Sequence, residues 1–95
     1  MAGYIIVDVR ITDPVRYQEY VKAVPATIAA YGGRFLVRGG KTATLEGDWR
    51  PGRVVVLEFE SAARAREWWD SKEYRALREL RQSASTAEMI VVEGA

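Results

Sequence analysis

The stretch Tyr31-Gly32-Gly33-Arg34-Phe35-Leu36-Val37-Arg38-Gly39-Gly40 decides how this chain is organised, because one element ends in it and another begins. Its first glycine pair supplies the positive φ angles that commonly end a helix. Residues 34–38 then alternate polar and apolar side chains, which predicts a half-buried strand. Its second glycine pair allows a sharp bend or a bulge. The stretch therefore predicts a helix, a strand and a change of direction in immediate succession.

Three further segments, 4–11, 53–59 and 89–93, show the same alternation. In each strand we expect an apolar face to meet the core and a second face to mix aliphatic and charged side chains. The predicted core face consists of Ile5, Val7, Val9, Phe35, Val37, Val55, Leu57, Phe59, Ile90 and Val92. The predicted mixed face consists of Ile6, Leu36, Val56, Val91, Asp8, Arg10, Arg38, Glu58 and Glu93.

Two segments carry apolar residues at the three- and four-residue spacing of a helix. The first begins at Asp13-Pro14, a helix cap followed by a proline at the first helical position, and runs to Tyr31. The second begins at the cap Ser61, has Trp68 and Trp69 predicted to face inward, and restarts at a second cap, Ser71. Residues 83–88 predict a polar connection to the last strand. Residues 41–52 predict either short strand pairs or a flap, since the segment is too long for a tight hairpin.

The order strand, helix, strand, strand, helix, strand predicts the split βαβ arrangement. Right-handed crossovers place both helices on one face of a four-stranded antiparallel sheet. We therefore expect an α+β, ferredoxin-like βαββαβ fold, and the 95 residues predict a single domain over 1–95.

Composition narrows the classes of function. With 14 Lys and Arg against 13 Asp and Glu, the net charge of +1 creates no field for nucleic acid or an anionic membrane. The chain contains no Cys and no His, which argues against disulfides, zinc-thiolate sites and histidine-ligated haem, so we expect neither metal nor cofactor. No targeting segment is recognised and no run of about 18 apolar residues occurs. We expect a soluble, cytoplasmic protein.

The mixed sheet face predicts a partner. A contiguous exposed apolar patch marks an interaction site, and charges buried beneath a partner must pair. We expect two copies to pack these faces together as a homodimer, leaving a partly polar cavity. A single-stranded RNA binder of the four-stranded sheet type is the weakest alternative, because residues 53–59 lack the exposed aromatic side chains that stack on bases.

Several motifs, in order, resemble the family named domain of unknown function 1330. They are Arg38-Gly39-Gly40, Leu45-Glu46-Gly47-Asp48-Trp49, Arg53-Val54-Val55-Val56-Leu57-Glu58-Phe59, Ser61, and Trp68-Trp69-x-Ser71-x-Glu73-Tyr74 with Arg81. The resemblance runs from Tyr4 to Gly94 and implies the dimeric α/β-barrel superfamily, which includes cofactor-free monooxygenases, decarboxylase-like and dehalogenase-like proteins and haem enzymes. Trp69 stands where that family usually has Tyr.

The candidate ligand-binding residues are Asp8, Arg38, Glu58, Ser71 and Tyr74. Glu58 is a weak candidate for a catalytic base, provided that desolvation raises its pKa more than a nearby arginine lowers it. Arg38 would hold a carboxylate or enolate oxygen of a ligand. The alternative for Arg38 and Glu58 is an ion pair between subunits. Ser71 is more simply a helix cap than a nucleophile, because no histidine is available to activate it.

Two functions remain open from the sequence. The first is a dimer that binds a small organic ligand, between sheet and helices or at the dimer interface, and acts on it by cofactor-free acid–base or oxygen-dependent chemistry. The second is a non-catalytic accessory or structural homodimer.

Overall fold

The computed structural model describes residues 1–95 and contains four strands and three helices. In chain order these are β1 (Gly3–Ile11), α1 (Pro14–Ala30), β2 (Arg34–Arg38), β3 (Arg53–Phe59), α2 (Ala62–Asp70), α3 (Lys72–Ala84) and β4 (Ser85–Glu93). The strands form one sheet in the order β2-β3-β1-β4, with every neighbouring pair antiparallel. The predicted ferredoxin-like fold class is confirmed.

Each helix begins at the predicted cap. The Asp13 carboxylate accepts a hydrogen bond from the amide of Arg16 at 3.1 Å, and the Ser61 hydroxyl accepts one from the amide of Arg64 at 3.0 Å. Ser71 separates α2 from α3, where its hydroxyl accepts from the amide of a residue in the first turn of α3 at 3.1 Å. The predicted restart at Ser71 therefore divides the second helix into two.

The core lies between the sheet and the helices. Trp68 occupies its centre, with its ring 4.0 Å from that of Tyr74 and 5.6 Å from that of Phe59. The buried apolar residues of the core are Ile5, Val7, Val9, Tyr17, Tyr20, Val24, Ile28, Leu57, Phe59, Ala65, Trp68, Tyr74 and Ala84. The molecule measures 35 × 33 × 16 Å, which fits one layer of helices on one layer of sheet.

A β-bulge in β2 changes which way its last residues face. Phe35 lies opposite Leu57, and Val37 lies opposite Val56, so that Leu36 is an additional residue between the two pairs. Such an insertion shifts the alternation of side chains by one position. The prediction that Val37 faces the core is wrong: Val37 is 39% exposed on the far side of the sheet.

The same bulge moves Arg38 to the helix side of the sheet. Arg38 lies opposite Val55, a residue that packs against the core. Its guanidinium carbon is 4.4 Å from the centre of the Phe35 ring, and Nη2 donates a hydrogen bond to the carbonyl of Val21 in α1 at 3.1 Å. The predicted position of Arg38 on the mixed face, beside Glu58, is therefore wrong.

β4 begins earlier and faces the other way from the prediction. The strand starts at Ser85, within the segment expected to be a polar connection. Its pairing with β1 places Met89 and Val91 opposite core residues, whereas Ile90 and Val92 face outward, with Ile90 59% exposed. Both faces of this segment are apolar, so its own pattern did not decide the register; pairing with β1 did.

The far side of the sheet, here called the open face, is not covered by any of the helices. Its members follow from the strand register: Tyr4, Ile6, Asp8, Arg34, Leu36, Val37, Val54, Val56, Glu58, Glu88, Ile90 and Val92. Aliphatic side chains therefore form most of its centre, with charged side chains among them. None of the helices combines the length and the hydropathy that crossing a lipid bilayer requires.

Candidate functional site

The five predicted site residues divide between the two sides of the sheet. Asp8 and Glu58 lie on the open face, whereas Arg38, Ser71 and Tyr74 lie on the helix side. The expected group of Arg38, Glu58 and Asp8 is therefore not formed within one chain.

Asp8 anchors the long segment between β2 and β3. One carboxylate oxygen accepts a hydrogen bond from the indole nitrogen of Trp49 at 2.9 Å, and the other accepts from the amide of Gly52 at 2.8 Å. The Trp49 bond, followed by the Gly52 bond, lowers the pKa of Asp8 below its ordinary value. The segment has no helix or strand of its own, so these contacts replace the strand pairs that were one of its two predicted forms.

Glu58 is paired with a neighbour on the same face. Its Oε1 accepts a hydrogen bond from Nε of Arg34 at 2.7 Å. This bond lowers the pKa of Glu58, and the Glu58 carboxylate in turn raises the pKa of Tyr4. Since the arginine effect exceeds desolvation, Glu58 does not meet the condition set for a catalytic base.

Ser71 and Tyr74 are next to each other in the helix layer. The Ser71 hydroxyl donates to the carbonyl of Trp68 at 2.7 Å and caps α3. The Tyr74 hydroxyl lies 2.8 Å from the hydroxyl of Tyr20 on α1, and one of the two donates to the other. Both side chains are buried, and Tyr74 has no exposed area.

Tyr74 belongs to a larger polar group, here called the tyrosine–arginine cluster: Tyr17, Tyr20, Tyr74, Arg53 and Arg81. All of its members are buried except Arg53, which is half-buried. The rings of Tyr17 and Tyr20 are 5.5 Å apart. Nε of Arg81 donates to the Tyr74 hydroxyl at 3.3 Å, although Arg81 is only 5% exposed. Arg53 begins β3 on the core side, opposite Val9.

The positive charge of the cluster has no acidic partner. The ion pairs of the chain are Arg34–Glu58, Arg64–Glu67 and Arg78–Asp70, and none of them involves Arg53 or Arg81. Nε of Arg53 is fully buried and makes no hydrogen bond. Unpaired polar atoms of this kind are uncommon in folded proteins and point to a missing partner.

Two of the tyrosine hydroxyls of the cluster are held in the protonated form. Burial raises the pKa of Tyr17 and of Tyr20, and the neighbouring arginines oppose this rise without cancelling it. Arginine is also protonated at every physiological pH. These groups can therefore donate hydrogen bonds to an anion.

Two spaces adjoin the cluster. A cavity of about 30 Å³ lies between the sheet and the helices. Its polar lining is Tyr17, Tyr20, Arg38, Arg53 and Arg81, and its other walls are apolar side chains, Phe35 and Trp68 among them. A groove of about 640 Å³, here called the edge groove, lies between the helices and edge strand β4. Its lining includes Ala65, Arg66, Trp69, Arg81, Met89 and Val91. Arg81 and Met89 line both spaces and so separate them.

Trp69 is a wall of the edge groove. The sequence predicted it as inward facing, but the side chain is 36% exposed, and the guanidinium carbon of Arg78 lies 4.1 Å from its ring. Trp68 takes the buried position instead, because adjacent helical residues point about 100° apart and only one of them can face the core.

The sequence prediction missed Tyr17, Tyr20, Arg53 and Arg81 as members of a site. The pattern that could have revealed them is a polar residue at a core position. Arg81 follows Tyr74 by two helical turns on the apolar stripe of α3, and Arg53 is in phase with the inward face of β3. In the sequence, a cation at the end of α3 also has an ordinary explanation, because the helix dipole favours positive charge there.

No group of three or more metal-ligating side chains lies together in the structure. The two spaces described above adjoin the donors of the cluster and the mixed apolar and polar lining of the edge groove.

Comparison with known proteins identifies one family and several solved structures that share the fold of this chain. The family model described as domain of unknown function (DUF1330) matches residues 2–95. No curated protein matches the chain. A protein of unknown function from Rhodopseudomonas palustris has a TM-score of 0.80 at 20% identity, over 99% of this chain and 82% of that one.

Two other solved structures are similar at lower identity. SnoaB, a cofactor-independent oxygenase from Streptomyces nogalater, has a TM-score of 0.66 at 12% identity, over 99% of this chain and 93% of that one. A dimeric ferredoxin-like protein of unknown function from Thermobifida fusca has a TM-score of 0.67 at 17% identity, over 99% of this chain and 92% of that one. At these identities the likeness is one of fold.

Proposed function

The chain belongs to the family described as domain of unknown function (DUF1330), and from that premise we propose that it is a homodimeric, single-domain protein that binds a small organic ligand between its sheet and its helices. The observation that carries the proposal is the edge groove, about half of whose lining is apolar, with Arg66, Asp70 and the buried Arg81 among its polar residues. Its volume of about 640 Å³ lies within the range of small-molecule sites.

The open face supports the homodimer. Ile90 and Val92 on one edge strand, and Leu36 and Val37 on the other, are exposed large aliphatic side chains, with Val56 between them. A patch of this kind on one side of a thin slab is stabilised by burial against a second copy. The Arg34–Glu58 pair neutralises two of its charges within one subunit, which lowers the cost of that burial.

The protonated cluster supports binding rather than proton abstraction. Glu58 has a lowered pKa, and Tyr17 and Tyr20 have raised ones, so none of these three groups is suited to accept a proton from a ligand near neutral pH. The donors of the cluster would instead stabilise negative charge on a ligand, whether it is already present or develops during cofactor-free chemistry. The lack of a proton acceptor among Glu58, Tyr17 and Tyr20 equally favours the alternative function, a non-catalytic accessory module.

Native mass spectrometry of the purified chain tests the proposal. We expect a dimer that carries a small molecule, either co-purified or taken from a panel of aromatic fragments. Ala87→Trp places a large side chain in the edge groove and is expected to abolish this binding while the dimer persists. Ala76→Trp, on the exposed side of α3, is the matched control.

A monomer at micromolar concentration would contradict the dimer. Unchanged ligand binding by Ala87→Trp would contradict the edge groove as the site.

A further inference from the structure

We propose that the cavity beside Arg53 and Arg81 is a subsite for a carboxylate group, so that the ligand of the edge groove is an organic carboxylate with an apolar body. This inference rests on the proposed function, because it specifies the chemistry of the ligand that the edge groove would bind.

The first step is the unbalanced charge. Arg81 is almost fully buried, and Nε of Arg53 is fully buried with no partner. A guanidinium removed from water is costly unless an anion pairs with it. No carboxylate of the chain forms an ion pair with either residue. A ligand that brings its own negative charge would supply the missing partner.

The second step is that Arg53 and Arg81 are not equally compensated. Arg81 lies in the last turn of α3, where the helix dipole favours a positive charge, and it has the Tyr74 hydroxyl as an acceptor. Arg53 does not lie at a helix end, and although its side chain also interacts with the Tyr17 hydroxyl, its Nε has no partner. Gly39, whose φ is +73°, leaves room beside it, since any side chain there would overlap Nη1 of Arg53. The backbone therefore accommodates this guanidinium at a specific position.

The third step is the size and lining of the cavity. Its volume of about 30 Å³ exceeds the 10–15 Å³ or so that one water needs, so it accepts about two oxygen-sized atoms. The planar fork of arginine matches the two oxygens of a carboxylate. The hydroxyls of Tyr17 and Tyr20 are additional donors. A carboxylate fits this space better than a phosphate, which has more oxygens to bury.

The fourth step connects the cavity to the edge groove. Arg81 and Met89 line both spaces, and methionine is the most adaptable of the large apolar side chains. The apolar body of the ligand would lie in the edge groove against Trp69 and Val91, and its carboxylate would reach past Met89 to the two arginines.

Benzoate and benzamide test the subsite, because they share one shape and differ in charge. Binding to the full chain is measured by calorimetry and by the shift in unfolding temperature. We expect benzamide to bind at least about tenfold more weakly than benzoate, since hydrogen bonds between ionised groups are the stronger ones. Arg53→Met is expected to abolish this preference, whereas Arg75→Met, an exposed arginine of α3, is expected to keep it.

A second readout needs no ligand. In the ligand-free protein, Arg53→Met is expected to raise the unfolding temperature, because it removes a half-buried guanidinium that has no acidic partner and whose Nε makes no hydrogen bond. A decrease would show that Arg53 already has a stabilising partner and would overturn the subsite.

The possible failures are distinguishable. Equal binding of benzoate and benzamide overturns the carboxylate subsite and leaves the proposed ligand-binding function standing. Failure of benzoate to bind the wild-type chain also overturns the subsite, while the native mass spectrum of wild type and Ala87→Trp decides the proposed function independently.

Discussion

The hydroxyl of Tyr20 lies 2.8 Å from the hydroxyl of Tyr74, and this buried contact joins α1 to α3. Arg81 donates to the same Tyr74 oxygen at 3.3 Å, which leaves the proton of Tyr74 free to be donated to Tyr20. The contacts form a short chain of hydrogen bonds within the core, where the cost of losing one partner is high.

Tyr74→Phe is therefore expected to lower the free energy of unfolding by about 1–3 kcal/mol, because it leaves two buried groups without a partner. Tyr20→Phe removes only one contact and is expected to cost less. Urea unfolding at neutral pH measures both. Tyr31→Phe is the control, since its hydroxyl bonds Glu73 in an exposed position. Equal losses in all three variants would contradict the buried chain of hydrogen bonds.

The double variant Tyr20→Phe/Tyr74→Phe is expected to cost less than the sum of the single variants. Once one hydroxyl has been removed, removing the second no longer leaves the first unpaired. The same urea titrations give the coupling energy, and strict additivity would show that the two hydroxyls do not interact in solution.

The hydrogen bonds between Asp8 and the segment of residues 39–52 are expected to depend on pH. The pKa of Asp8 is lowered below its ordinary value of 3.8 by the Trp49 and Gly52 bonds. A lowered pKa means that the stabilisation is fully present above the unfolded value and is lost as pH falls through the folded one. The indole N–H resonance of Trp49 is expected to titrate with a midpoint below 3.8.

At neutral pH, Asp8→Asn is expected to release the same segment, because an amide is a weaker acceptor than a carboxylate for both donors. Trypsin should then cleave after Lys41 faster than in the wild-type chain. Asp48→Asn changes an exposed carboxylate of the same segment and is expected to leave the cleavage rate unchanged. A Trp49 titration midpoint at the ordinary pKa of aspartate would show that the Asp8 carboxylate does not hold this segment. Equal cleavage rates of the wild-type chain and Asp8→Asn would show the same.

Val56→Asp is expected to convert the dimer into a monomer. Val56 lies at the centre of the open face, next to Ile6 and Val37, and an unpaired carboxylate there is costly to bury under a second copy. Light scattering after gel filtration measures the mass. Ala76→Asp, on the exposed side of α3, should remain a dimer. A dimeric Val56→Asp variant would place the contact elsewhere.

Ser71→Ala is expected to lower the free energy of unfolding by about 1 kcal/mol, the typical cost of losing a helix cap. The hydroxyl also donates to Trp68 at the end of α2, so both helices lose a contact. Ser83→Ala, an exposed serine in α3, is expected to change stability by less than about 0.5 kcal/mol. Circular dichroism during thermal unfolding compares the two variants.

Local patterns of the sequence predicted the elements and their order. Asp13, Ser61 and Ser71 cap helices because a short polar side chain can accept from the amides of the next turn, whatever lies around it. In β1 and β3 only one of the two alternating sets of side chains is purely apolar, so the face that meets the core was predicted correctly. A ferredoxin-like arrangement follows from that order and from the handedness of the crossovers.

The faces of the edge strands were decided by the tertiary structure. Ile90 and Met89 are equally suited to the core, and only the register against β1 chooses between them. Leu36 forms a bulge that reverses the remainder of β2, and the glycines that predicted a bulge lie after it. This shift by one residue places Arg38 on the opposite side of the sheet from Glu58, so the predicted group of Arg38, Glu58 and Asp8 does not form.

The sequence by itself thus determined what is local: caps, periodicities, element order and the absence of cysteine and histidine. The tertiary structure alone decided which charges meet. Tyr17, Tyr20, Arg53, Tyr74 and Arg81 come from three elements distant in the chain, and each has an ordinary explanation in its own segment. These residues come together, with no carboxylate beside them, only when the helices pack on the sheet. Packing also excludes water, and the cost of an unpaired charge depends on how far water is excluded from it.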